Sequence, residues 1–265
     1  MLRILFGALL LFVPGAFACD GQTGKVIFED KFTDDSGGWR FDESFVLKAP
    51  GATLTVAAAD RARVRAPLNQ TFTATRGDFC VEMSFPADAA QSDAAIGVTF
   101  MATDDENFWA AEVHADGKAQ LWKETNSKWS RVWEALTNNL VKTGPTDVNS
   151  VRAVAKNGTI TVIVNGQPVK SVRAQIPSGD LKFGFYAEQN KPSATPVSFT
   201  VRSYKVDRRG MRPNRRAAVM EAAWLHGPPK AGEAPPGRSP DRADDSAHRS
   251  QCRWGLPAPK PRLAH

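Results

Sequence analysis

The sequence predicts an all-β protein, a sandwich of two antiparallel sheets, on three observations. Between Val26 and Val206 apolar and polar residues alternate in short runs, the two-residue period of a half-buried strand. No convincing helical period interrupts them. Asp116-Gly117, Asn157-Gly158 and Asn165-Gly166 each stand between two such runs, and these residues tolerate the positive φ of a tight hairpin turn. Three hairpins in one domain make the sheets antiparallel.

The strands follow in order. Val26–Phe28, Ser44–Lys48 and Thr53–Ala57 open the domain. Phe79–Phe85 alternates cleanly, with Phe79, Val81, Met83 and Phe85 on the core face and Cys80, Glu82 and Ser84 turned away. Ala94–Met101 is a more apolar run. Phe108–His114 and Lys118–Glu124 flank Asp116-Gly117, which reads as a two-residue turn. Val151–Ala155, Thr159–Val164 and Pro168–Arg173 are joined by the Asn-Gly pairs, and Leu181–Glu188 and Val197–Val206 close the set.

Charge divides the chain. Residues 1–206 hold 22 Lys/Arg against 22 Asp/Glu, and residues 207–265 hold 12 against 6, the whole net charge of +6. Half of the 18 prolines also fall in that last stretch. The basic balance therefore describes a tail, and nucleic acid is not an expected partner of the folded part. Residues 207–265 read as disordered apart from a short helix at Arg216–His226, since they cannot bury enough apolar surface to offset their ordering entropy. A basic tail can bind anionic surfaces; it can equally be a solvated appendage or read-through of a GC-rich gene.

Residues 1–18 read as a secretory signal. Arg3 supplies the positive start, Ile4–Val13 is the apolar core, Pro14-Gly15 breaks it, and Ala16-Phe17-Ala18 is the small-x-small pattern cut by a signal peptidase. Ten apolar residues are too few to span a bilayer about 30 Å thick, and no later segment is long and apolar enough. A secreted or periplasmic domain over residues 19–206 is expected, without a transmembrane segment. Cys19 follows the cut. It either carries a lipoprotein anchor, for which the bulky Phe17 is a poor fit, or forms a disulfide with Cys80, closing a loop whose entropy is worth about 4 kcal/mol. Cys252 is left over in the tail.

Four stretches carry a resemblance. Val26-Ile27-Phe28-Glu29-Asp30-Lys31-Phe32 with Gly37-Gly38-Trp39 resembles the opening strand of secreted bacterial jelly-roll domains of the concanavalin A-like lectin/glucanase superfamily. The laminin G-like and 3-keto-disaccharide hydrolase-like groups are nearest in style. Asn107-Phe108-Trp109 through Asp116-Gly117 resembles their central hairpin, and Asn149–Arg152 with Thr159–Gly166 their late hairpin. Gly184-Phe185-Tyr186-Ala187 and the final strand resemble their close. The resemblance covers about residues 25–206 and implies a jelly roll, a fold that hosts enzymes, lectins and structural modules alike.

Chemistry is sparser. His114 is the one histidine before the tail, which excludes a His-rich metal site. Glycosidases of the resembled superfamily carry a Glu-x-Asp-x-Glu strand; this chain has none, and Glu29-Asp30 and Asp34-Asp35 are adjacent pairs that point to opposite faces of a strand. No G-x-S-x-G, Walker or dinucleotide fingerprint is present. Asp104-Asp105-Glu106 is either a solvated turn or a Ca²⁺ site of the kind the resemblance implies; no other cofactor is expected.

The aromatic residues say more. Trp109, Trp122, Trp129 and Trp133 fall within 25 residues. Alternation places Trp109 with Ala111 and Val113 toward the core. It places Glu112 and His114 on the opposite face, and Gln120, Trp122 and Glu124 share a face across the turn. A polar face with flat indoles suits a sugar, whose C–H faces stack on the ring while carboxylate, amide and imidazole take the hydroxyls. Glu112, His114, Gln120, Trp122, Trp129, Arg131 and Trp133 are the candidate binding residues, with the core as the competing place for the tryptophans. The expected function is carbohydrate binding on the concave face without catalysis. A glycoside hydrolase or lyase acting on modified sugars is the alternative, which paired carboxylates near Glu112 would favour. A periplasmic interaction module without a sugar ligand is the third reading.

Overall fold

A computed structural model of the protein describes residues 18–22, 24–58, 62–67, 70–73, 76–89, 93–137, 139–191, 195–208 and 212–213. The expected signal segment as far as residue 17, the helix expected at Arg216–His226 and Cys252 lie outside them. Within the described residues the chain forms β1 (Lys25–Asp30), β2 (Phe45–Leu47), β3 (Ala52–Val56), β4 (Ala62–Arg65), β5 (Phe72–Thr73), β6 (Arg76–Ser84), β7 (Ala94–Asp104) and β8 (Asn107–His114). It continues with β9 (Lys118–Thr125), β10 (Lys128–Leu136), β11 (Asn149–Lys156), β12 (Thr159–Val164), β13 (Gln167–Arg173), β14 (Asp180–Gln189), β15 (Val197–Arg208) and β16 (Arg212–Pro213).

These strands make two antiparallel sheets. The first runs β13-β12-β11-β6-β15-β3-β2 with β1 also on β15, and the second runs β10-β9-β8-β7-β14-β5-β16 with β4 also on β14. Strands distant in sequence therefore lie side by side, as β6 does between β11 and β15. That crossing of strands from both halves of the chain gives the jelly-roll sandwich expected from the sequence.

The core lies between the sheets and is built from alternate residues of each strand. Phe79, Val81 and Met83 of β6 face Ile96, Val98 and Phe100 of β7 and Phe183 and Phe185 of β14, all 3% exposed or less. Each such phenylalanine contributes about 2 kcal/mol by burial. At one end Phe28, Phe32, Trp39, Phe45, Phe185 and Tyr204 meet mostly edge to face, the geometry favoured by the ring quadrupoles. Trp39 reaches this cluster because its indole N–H has a partner there, donating to Asp30 Oδ2 at 2.7 Å.

The Asn-Gly turns form as expected: Asn157 and Asn165 sit at φ 51° and 47°, followed by Gly158 and Gly166 at 71° and 80°. Several features differ from the sequence reading: β4, β5 and β16 are not among the expected strands, and β16, inside the stretch expected to be disordered, pairs with β5. Asp116-Gly117 is not a two-residue loop. Gly117 N–H bonds to His114 C=O at 3.0 Å, and in that turn Gly117 alone takes positive φ, 88°. Strand β10 is not signalled in the sequence: the turn before it is Asn126-Ser127, which adopts φ 51° and 60° without a glycine. Finally β15 continues past Val206, pairing Arg208 with Lys25, while buried Asp207 accepts Gly24 N–H at 3.0 Å.

The residue after the expected cut is tied to the first sheet. Ala18–Gly21 is a single 3-10 turn, and Cys19 is disulfide-bonded to Cys80, with Cα atoms 5.8 Å apart. Cys80 points away from the core, and the turn covers it. Among the described residues no helix is long and apolar enough to cross a membrane.

Candidate functional site

The outer face of the second sheet carries the candidate residues in register. One row runs Glu134, Gln120, Glu112, Gly97, Tyr186 across β10, β9, β8, β7 and β14. Beside it run Arg131, Trp122, Ala110, Thr99, Gly184 on one flank, and His114, Ala95, Glu188 on the other. The residues from β7 are small. Adding a Cβ at Gly97 would place it 1.9 Å from Ala111 O, so nothing larger than glycine fits. This low strip lets side chains from β8 and β14 meet above β7.

They meet as a polar network. Trp122 Nε1–H lies 2.6 Å from both Glu112 Oε1 and Gln120 Oε1. Gln120 Nε2–H donates to Glu134 Oε2 at 2.5 Å, and Arg131 reaches the same oxygen at 2.9 Å. The Arg131 guanidinium lies 5.7 Å over the Trp122 ring. Tyr186 O–H donates to Glu188 Oε2 at 2.5 Å, and Asn190 Nδ2–H to Glu188 Oε1 at 2.7 Å. Glu112 is fully buried, and among the described residues its Oε2 has no hydrogen-bond partner.

His114, 2% exposed, lies between carboxylates: Nε2 is 3.4 Å from Glu112 Oε1 and Nδ1 is 3.4 Å from Asp93 Oδ1. Only the imidazolium donates from both nitrogens. Burial opposes its charge, but the Glu112 hydrogen bond and charge, with Glu188 and Asp93, raise its pKa from 6.5 to about 9. Glu112, His114 and Glu188 also bring one donor atom each within 4.8 Å of one another, as do Asp93, His114 and Asp116. At neutral pH the protonated ring supplies one positive charge shared between these carboxylates.

Next to the polar part the same face is apolar. Ala102, Phe108 and Ala110 form a small cluster with Val64, Trp122 and Trp129 against it. Trp129 stands edge-on to Phe108 and Trp122, with centroids 5.4 and 6.0 Å away, and tilts against Tyr186 at 5.3 Å.

The structure thus brings Glu112, His114, Gln120, Trp122, Trp129 and Arg131 to one face. Trp133 does not join them. A bulge between Arg131 and Trp133 turns its side chain to the other face, where it packs against the core. Trp109 is a core residue, as alternation implied. Asp104, Asp105 and Glu106 form the β7–β8 turn, where Asp104 Oδ1 accepts Glu106 N–H and Asn107 Nδ2–H at 2.9 and 2.8 Å. The bulge delivers Glu134 instead of Trp133, and Glu188, Tyr186 and Asp93 enter from elsewhere in the chain. Glu188 was visible as the outward residue of its strand, but nothing local showed that its strand lies two away from β8.

The jelly-roll fold is similar to that of solved carbohydrate-recognition and glucanase domains. A carbohydrate recognition domain of Emp47p superposes with a TM-score of 0.55, at 13% identity over 69% of this chain and 96% of that one. The catalytic domain of an endo-1,3-β-glucanase (laminarinase) from Thermotoga petrophila RKU-1 gives 0.53, at 9% identity over 71% and 99%. A β-glucanase from Bacillus licheniformis gives 0.51, at 15% over 71% and 100%. No family model and no curated protein sequence matches the chain.

Proposed function

We propose that this is an exported carbohydrate-binding domain, built from residues 19 to about 208, that holds a glycan on the outer face of its second sheet. The observation that carries the reading is the fixed Trp122: its N–H lies within hydrogen-bond reach of Glu112 and Gln120, and the Arg131 guanidinium stands 5.7 Å over its ring, so an indole and a hydroxyl-binding cation are held together on this face. Trp129 forms a wall at right angles to it, and exposed Arg131 and Glu134 supply donors and an acceptor for hydroxyls at the rim. Buried Glu112 and His114 position the indole and do not touch sugar themselves. The lectin and glucanase folds that superpose on the chain support a sugar ligand, and the disulfide supports an oxidising compartment.

Affinity electrophoresis through gels containing β-glucans, xylan or bacterial exopolysaccharide tests this. The wild type is expected to be retarded by at least one polymer. Trp122→Ala and Trp129→Ala abolish the retardation, while Trp133→Ala, on the core side, leaves it. Unretarded wild type, or retardation unchanged in both face variants, overturns the reading.

One observation favours a second reading, glycoside hydrolysis: carboxylate oxygens of Glu112 and Glu188 lie within 4.8 Å of each other, near the spacing of about 5–5.5 Å used by retaining enzymes. Both side chains are buried, at 0% and 3% exposure, which ranks it second. Release of reducing sugar by the wild type and its loss in Glu188→Gln would reverse the order.

A further inference from the structure

Glu82 is a buried carboxylate, 2% exposed, on the outer face of the first sheet. Its neighbours on the adjoining strands are Ser150 and Ser203. Ser203 Oγ–H donates to its Oε2 at 2.8 Å, and the backbone N–H of Cys19 donates to its Oε1 at 3.2 Å. Among the described residues no lysine, arginine or histidine forms an ion pair with it. A buried carboxylate served only by neutral donors is costly, because its lost hydration is not matched by an opposite charge.

The donor to Glu82 is the nitrogen that the expected cleavage would expose. Ala16-Phe17-Ala18 immediately precedes Cys19, and the disulfide to Cys80 holds that nitrogen beside the carboxylate. We propose that the chain is cut between Ala18 and Cys19 and that the Cys19 α-ammonium is the counter-ion of Glu82. In the cut a signal peptidase adds water across the peptide bond, leaving a carboxylate on Ala18 and an ammonium on Cys19. A neutral hydrogen bond thereby becomes a buried ion pair, so removal of the leader completes the electrostatics of the first sheet. The arrangement also excludes a lipid anchor at Cys19, since its Sγ is bonded to Cys80 and its nitrogen faces Glu82.

Two measurements test the proposal. The exported product of the full-length gene is characterised by intact mass under non-reducing conditions and by N-terminal sequencing. It is expected to begin at Cys19, with the disulfide formed and no acyl group. Another terminus or an acyl adduct overturns the proposal. Urea unfolding then compares Glu82→Gln in that product and in a chain that keeps Phe17-Ala18 ahead of Cys19, made under oxidising conditions. In the processed chain the substitution raises the unfolding constant by about a hundredfold or more, and in the longer chain by less than about tenfold. A processed variant that fails to fold while the longer one folds supports the ion pair equally. Equal effects in the two chains refute it.

Discussion

Replacing His114 by glutamine tests whether the network on the second sheet is held by charge. The imidazole faces Glu112 on its own strand, Glu188 on β14, Asp93 in the turn before β7 and Asp116 in the turn after β8. Burial alone would expel its proton, but these carboxylates raise the pKa from 6.5 to about 9. That difference is worth about 3 kcal/mol of coupling between proton binding and folding. Because the folded value is the raised one, the contribution is complete below pH 6.5, declines as pH rises toward about 9, and is lost above it. Urea unfolding of wild type and His114→Gln at a series of pH values reads it directly, since histidines that titrate alike in both proteins cancel in the difference. The stability gap should close by about 3 kcal/mol between roughly pH 6 and pH 9.5. A gap that stays constant over that range, or widens, refutes the charged network.

Two further substitutions test the frame. Cys80→Ser opens a loop of sequence separation 61 and should cost about 4 kcal/mol by the chain-entropy argument; a urea midpoint equal to that of the oxidised wild type would contradict it. Gly97→Ala puts a methyl group 1.9 Å from Ala111 O and 2.5 Å from Glu112 Cα, so β7 and β8 must separate at the centre of the site. A loss of about 2 kcal/mol or more is expected in the same assay, and an unchanged midpoint would show that the two strands do not approach as described.

What could be read from the sequence followed from local rules. Strands whose alternation is unbroken, such as Phe79–Phe85 and Phe108–His114, declare both their existence and their inward face, because the pleat has a strict period of two. The Asn-Gly pairs declare their hairpins for the same local reason. Strand β10 escaped because Asn126-Ser127 makes its turn without glycine and because the bulge after Arg131 breaks the alternation. A bulge depends on the partner strand as much as on its own residues, so Trp133 and Glu134 exchange faces for a reason that Trp-Ser-Arg-Val-Trp-Glu does not contain.

The site shows the same division. Glu112, His114, Gln120 and Trp122 lie on adjacent hairpin strands, and turn and period sufficed to bring them together. Glu188 and Tyr186 arrive on β14, more than 60 residues later in the chain, and Glu82 finds Cys19 across a comparable distance. Alternation and turn chemistry thus determined the class of fold, the inward face of most strands and half of one polar face, since these rest on neighbours along the chain. Which strands lie side by side across the sheets, and so which carboxylate meets which cation, was decided by the tertiary structure alone, because pairing between distant strands is set by how the two sheets close over their shared core.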